Sequence, residues 1–156
     1  MLVAHLPAGY LAAKSAQAAG VSKAVFWGIL IGSIAPDLDM LWFHLVDNRS
    51  THHHEYLTHR PIIWAGFLLV GLVLRRSFIA AVGVGALFHL MLDSIAGKVS
   101  WGWPFFDGTT TLVTVQATHD HWIKSFMAHW TFKVELVIVA VALIVFVRSV
   151  FKGKST

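Results

Sequence analysis

The sequence predicts an all-α fold: a multi-span transmembrane helical bundle of about five helices, with an outer amphipathic or loop segment over residues 97–131. Three observations predict it. The 156 residues are 56% apolar and only 13% charged, at a mean hydropathy of +0.67, which is membrane composition. Five apolar runs follow one another, each near the roughly 17–25 residues that cross a bilayer core as a helix. All the acids also sort to one set of ends of those runs, leaving the other set purely basic. By length the chain is a single domain over residues 1–156.

The runs are Leu2–Ala19, Val21–Met40, Leu57–Leu74, Ser77–Ile95 and Val134–Phe151. The first is alanine-rich and carries Lys14 and Gln17, so a half-buried or surface helix is its alternative. Leu2–Ala13 lacks the basic start of a signal peptide and reads as part of the mature protein. Gly20 and Arg75-Arg76-Ser77 predict tight turns between helical neighbours. Gly28, Gly32, Gly83 and Gly85 permit close helix packing in lipid. Gly97–Thr131 is the one long connection, with Trp101, Trp103, Trp122 and Trp130 suited to an interfacial belt and a helix expected from about Ala117 to Trp130.

Charge predicts topology. If the five helices alternate, one side receives Lys14, Lys23, Arg75, Arg76, Arg148, Lys152 and Lys154 and no acid. The other receives Arg49, Arg60, Lys98, Lys124 and Lys133 with all eight acids, and the ten histidines lie on it or in the helix ends facing it. The basic side is then cytoplasmic, with the C-terminus inside and the polar chemistry facing out. The net charge of +4 is spread over helix ends instead of forming a patch, which argues against nucleic acid as a partner. With no cysteine, any metal must be held by imidazole and carboxylate.

Three clusters carry that chemistry. His52-His53-His54-Glu55-Tyr56-Leu57-Thr58-His59 sits before an apolar run. The match to the zincin His-Glu-x-x-His pattern fails, because His54 and His59 stand five apart and differ by about 140° on a helix. His54 is expected from a loop and His59 from the first turn of the next helix, with His52 and His53 equally readable as solvated loop residues. Asp37 and Asp39 follow Pro36, which predicts an extended turn at Ala35 and reads them as oxygen ligands or as partners orienting a histidine. His89 and Asp93 lie four apart on one helical face, and an ionisable pair inside an apolar helix is a functional candidate. His5, at the outer start of the first helix, is level with these clusters, and His44 reads as structural.

In order, His5, Gly32-Ser33-Ile34-Ala35-Pro36-Asp37-Leu38-Asp39, His54-x-x-x-Thr58-His59, His89-x-x-x-Asp93-Ser94 and Trp103-Pro104-Phe105 resemble a family of small multi-span inner-membrane proteins known as membrane-bound metal-dependent hydrolases. The likeness covers about residues 1–110. That family's central motif reads His-Arg-Gly-x-Thr-His-Ser, whereas Glu55, Tyr56 and Arg60 stand here for the arginine, glycine and serine. A fainter similarity is to zinc-dependent phospholipase C, an all-helical enzyme with an early histidine, a Pro-Asp segment and a His-x-x-x-Asp helix. Its later ligands would fall to His119, His121 and His129.

The expected function is a metal-dependent hydrolase at the outer face of the cytoplasmic membrane, cleaving a phosphoester of a phospholipid or other lipid-linked substrate. Asp37, His59, His89 and Asp93 are the expected core ligands, with His54 and His5 beside them and Asp39 or Glu55 as general base. Arg60 and Lys98 are placed to meet phosphate. Nitrogen and oxygen donors without sulfur suit Zn²⁺, with Mn²⁺ and Fe²⁺ as alternatives. Membrane lipid is the expected partner. A non-enzymatic metal-binding or transport protein, using the same His/Asp cluster, is the alternative. The missing internal repeat, and clusters at helix ends instead of mid-membrane, count against it.

Overall fold

The computed structural model describes residues 3–48, 50 and 53–152. Arg49, His52 and Lys154, used above for the charge sorting and the histidine run, lie outside the described residues, as do the side chains of His53 and Lys152. Seven α-helices account for most of the described chain: α1 (His5–Ala18), α2 (Lys23–Gly32), α3 (Asp39–Leu45), α4 (Pro61–Val73), α5 (Ser77–Asp93), α6 (Trp122–Ala128) and α7 (Trp130–Lys152). Short 3-10 turns cover Pro36–Leu38, His53–Glu55 and Leu57–His59. Among the described residues no strand forms, and an isolated bridge pairs Val99 with Thr110.

Local signals explain the helix ends. Ser22 caps α2 by accepting from the Val25 amide at 3.4 Å, after Gly20 turns the chain at φ +88°. Pro61 opens α4 with the fixed φ that a first turn wants and no N–H left orphaned. Arg75 takes the left-handed conformation at φ 53°, and the Arg76 amide closes on the Gly71 carbonyl at 2.7 Å. That 6→1 bond is a Schellman turn, and it delivers α5 back along α4.

α5 is the centre of the molecule. Its small residues Ala80, Ala81, Gly83, Gly85 and Ala86 are buried between α2 and α4. Backbones meet directly there: a Cβ on Gly32 would strike the Val82 carbonyl and the Ala86 amide, and one on Gly71 would strike Ala80. Small residues let helix backbones meet in close van der Waals packing of this kind.

The contacts also fix helix directions. Gly28 and Gly32 of α2 meet Ala81 and Val82 of α5 in the same order, so those two helices run parallel. Gly71 meets Ala80 while Gly83 meets Leu68, so α4 and α5 run antiparallel. Glu135 of α7 holds the Val3 and Ala4 amides ahead of α1, and farther along Tyr10 reaches Phe146 and Ser149; α1 and α7 run parallel. Gly9 against Ser33 and Ala13 against Ile29 set α1 and α2 antiparallel. The starts of α1, α4 and α7 therefore gather at one end with the finishes of α2 and α5. Lys14, Lys23, Arg75, Arg76 and Arg148 lie toward the other.

Three sequence expectations change. Five bilayer-length helices were expected, yet among the described residues only the 22-residue Trp130–Phe151 is by itself long and apolar enough to cross a membrane, with a mean hydropathy of 2.6 over an 18-residue stretch of it. Lys23–Gly32 and Pro36–Leu45 qualify as a pair bent by 48°. α4 has 13 residues and α5 has 17, about 20 Å and 26 Å against a core of about 30 Å. The apolar runs are longer than these helices because their ends, at 33–38 and 57–60, fold as turns that carry or adjoin the polar clusters. The second change is at Ala35, which stays right-handed helical at φ −60°, ψ −38° instead of extending. Pro36 takes the first position of a 3-10 turn there, a role its ring satisfies without a helical N–H. The helix expected from about Ala117 to Trp130 is confined to α6.

Candidate metal centre

Each piece of the centre comes from a helix end at the shared face of the bundle. α5 supplies His89 and Asp93, one turn apart, both buried. The 3-10 turn after α2 supplies Asp37, and the start of α3 supplies Asp39. Two successive 3-10 turns before α4 supply His54 and His59, whose rings stack at 4.8 Å. His5 begins α1 and stacks on His89 at 3.7 Å.

Four donor atoms converge. His89 Nε2 lies 3.0 Å from Asp93 Oδ2 and 3.6 Å from Asp37 Oδ1. His59 Nε2 lies 3.6 Å from Asp93 Oδ2 and 3.8 Å from Asp37 Oδ1. Donors held about 2.1 Å from a zinc-sized ion stand about 3.4 Å apart in tetrahedral geometry. The observed separations bracket that value. His54 Nε2 stands 3.8 Å from Asp93 Oδ2, and His5 turns Nε2 to Asp93 Oδ1 at 3.0 Å and Nδ1 to Asp37 Oδ2 at 3.5 Å. The groups His5–Asp37–His89 and His54–His59–Asp93 could each hold a metal ion.

The tautomers suit this use. His89 Nδ1 faces the Ser33 carbonyl at 2.8 Å, so it carries the proton and leaves Nε2 for a ligand bond. His59 Nδ1 donates to Asp39 Oδ2 at 2.7 Å, and the same oxygen accepts from the Thr58 hydroxyl. Both imidazoles are thus oriented from behind, as metal-binding histidines are. The Nε2 atoms of His5 and His89 are buried yet enter no hydrogen bond of sound geometry. Buried polar atoms are normally satisfied, so this calls for an explanation, and a cation among the carboxylates supplies one. Burial pulls the His59 imidazole down, but Asp39 and Asp93 outweigh it and push it up to about 9. The site opens on one side: the Asp37 side chain is 40% exposed, against 2% for Asp93.

Of the residues singled out in the sequence, Asp37, His59, His89, Asp93, His54 and His5 come together. Asp39 stands behind His59. Glu55 is exposed on the His54 segment, and its carbonyl accepts from Arg60 at 3.0 Å. The Arg60 guanidinium sits over Trp103, 5.5 Å from the ring centre. Lys98 is exposed, beside Gly97, where a Cβ would press on the His54 ring. His44 is exposed and edge-on to Phe43. His119 contacts the Thr118 hydroxyl, His121 caps α6 through Nδ1, and His129 pairs with Thr131; these three sit in neither metal-sized group. Sequence reasoning missed the Ser33 carbonyl, Gly97 and Trp64, whose indole nitrogen donates to the Thr58 carbonyl at 2.6 Å and steadies the His59 turn. A backbone carbonyl leaves no sequence signal, whereas Gly97, just past the end of α5, did carry one.

A family model described as YdjM inner membrane protein matches residues 1–155. No curated protein and no solved structure matches the chain.

Proposed function

The chain belongs to the YdjM inner membrane protein family, and on that premise we propose that it is a membrane-bound metal-dependent hydrolase acting on a phosphoester of a membrane lipid. The observation that carries this reading is the convergence of Asp37 Oδ1, His59 Nε2, His89 Nε2 and Asp93 Oδ2 at 3.0–3.8 Å, with an open side at Asp37. A site closed by protein on every side suits a structural ion, and an open position suits catalysis. The donor chemistry fits Zn²⁺ best, with Mn²⁺ or Fe²⁺ next. When bound, such an ion polarises a phosphoryl oxygen and acidifies water.

The chain's own groups do the rest. Asp39 and the Ser33 carbonyl hold His59 and His89 in register. Because Asp39 is engaged by His59 and Thr58, the general-base role falls to Glu55, the exposed carboxylate on the same segment. Arg60, splayed on Trp103, and Lys98 receive the phosphate oxygens. Beside Arg60 an apolar groove of about 520 Å³, lined by Pro61, Ile62, Ala65, Leu87, Trp103 and Phe106 among others, would accommodate the hydrocarbon part.

We place the His/Asp end at the extracytoplasmic face and the basic end in the cytoplasm, in a multi-pass arrangement. The helix directions support it, since they collect Lys14, Lys23, Arg75, Arg76 and Arg148 at the end away from the acids. Short α4 and α5 would then cross through local thinning, or be shielded by their neighbours.

The test is metal content of detergent-purified protein by elemental mass spectrometry, wild type against His89→Ala with Asp93→Ala, followed by phosphate release from phospholipid in mixed micelles. Near-stoichiometric metal lost in the double variant, with metal-dependent turnover, is the expected result. No metal after reconstitution would overturn the reading; metal without turnover on any lipid phosphoester would leave a metal-binding protein.

A further inference from the structure

Glu135 is a buried acid that the proposed chemistry does not use. It is fully buried on α7, one turn after buried Thr131, in a helix otherwise suited to lipid. An ionisable group there is expensive and marks a function. Its Oε2 accepts from the Val3 amide at 2.6 Å and the Ala4 amide at 3.1 Å. These amides stand ahead of α1 and have no carbonyl within that helix to receive them. The carboxylate also meets the positive end of the α1 dipole.

The next residue is His5. His59 and His89 are oriented from behind, through Nδ1, by Asp39 and by the Ser33 carbonyl. His5 has no such support, because both of its ring nitrogens turn toward the carboxylates of Asp37 and Asp93. Its ring is placed by its stacking on His89 and by its backbone, and that backbone is tied down one residue away by Glu135. We propose that Glu135 is the positioning residue for His5, anchoring α1 to α7 so that the imidazole reaches the metal centre. This rests on the metal-binding reading above.

The experiment combines two readouts. Diethyl pyrocarbonate modification, mapped by mass spectrometry, reports whether His5 stays shielded without reference to any ion. Zn²⁺ titration against a chromophoric chelator reports affinity. In Glu135→Ala, His5 is expected to become modified while His59 and His89 remain protected, and the Zn²⁺ Kd to rise about 10- to 100-fold, the usual effect of losing a ligand's support. Glu135→Gln keeps an acceptor oxygen and should restore much of both. In a His5→Ala background, adding Glu135→Ala should leave the Kd unchanged. Unaltered His5 protection in Glu135→Ala overturns the proposal. So does an equal loss of affinity with and without His5, which is the signature of a merely structural acid. If Glu135→Ala exposes every histidine, the chain has unfolded and Glu135→Gln decides by the same readouts. Wild type without Zn²⁺ affinity would sink the metal reading, and His5 protection would still decide the anchor.

Discussion

Metal affinity should climb with pH well above the range where histidines normally stop mattering. Burial lowers the His59 imidazole, but the Asp39 and Asp93 carboxylates outweigh it and hold it at about 9. A ligand bond at Nε2 needs the neutral ring, so binding must displace a proton. Between pH 7.5 and 8.5 the neutral fraction rises from about 3% to about 24%, an increase of about eightfold in apparent affinity. An imidazole near 6.5 is already about 90% neutral at pH 7.5 and would add about a tenth. Competition titrations with Zn²⁺ buffered by a chelator, at half-unit pH steps, measure this directly. Asp39→Asn is the control: it keeps an oxygen for His59 and Thr58 but removes the charge, so the curve should flatten. In the metal-free protein the sign reverses. A raised pKa contributes stability that is present below about 6.5 and lost as pH rises through about 9, so its Tm should fall across that window. Affinity that is flat from pH 7.5 to 8.5, or a slope undiminished in Asp39→Asn, would refute the role given to the His59–Asp39 pair.

Other outcomes follow from the packing. Gly97→Ala puts a methyl group against the Cε1 and Nδ1 atoms of His54, so metal affinity should fall several-fold with the helical circular dichroism unchanged; full affinity would place His54 outside the centre. Gly32→Ala forces its Cβ onto α5 backbone at Val82 and Ala86, and should cost about 1–3 kcal/mol in detergent unfolding, whereas an unchanged midpoint would mean the α2–α5 contact is looser than it looks. The chain has no cysteine, so single cysteines can report topology cleanly. A membrane-impermeant maleimide added outside should label Lys98→Cys in intact cells and Arg75→Cys only after permeabilisation, and the reverse pattern would invert the proposed orientation.

Particular residues show what was legible beforehand. His89 and Asp93 could be paired in advance because an interval of four on a helix is local geometry. Asp37 and His59 could be added because ionisable groups at the ends of apolar runs need a reason to be there. His5 was less secure, since only the path of α1 between α2 and α7 brings it onto His89. The role of Asp39 was open for the same reason: whether it faces water or the back of His59 depends on where α3 meets the turn before α4. The lengths of the helices were not legible because hydropathy does not distinguish a helix from the turns that extend it, as at 33–38 and 57–60.

Composition and periodicity by themselves determined that this chain is helical, belongs with a membrane, and carries its acids and histidines at one set of helix ends. Those are properties of local sequence: hydrophobicity, turn residues, and the spacing of neighbours along one helix. Tertiary structure alone decided which ends meet and at what distance. The donor atoms of Asp37, His59, His89 and Asp93 come from three separate segments, and their 3.0–3.8 Å separations exist only because glycine and alanine let α2, α4 and α5 approach backbone to backbone. The same holds for Glu135, whose partners lie 131 and 132 residues away, a distance along the chain that no local pattern encodes.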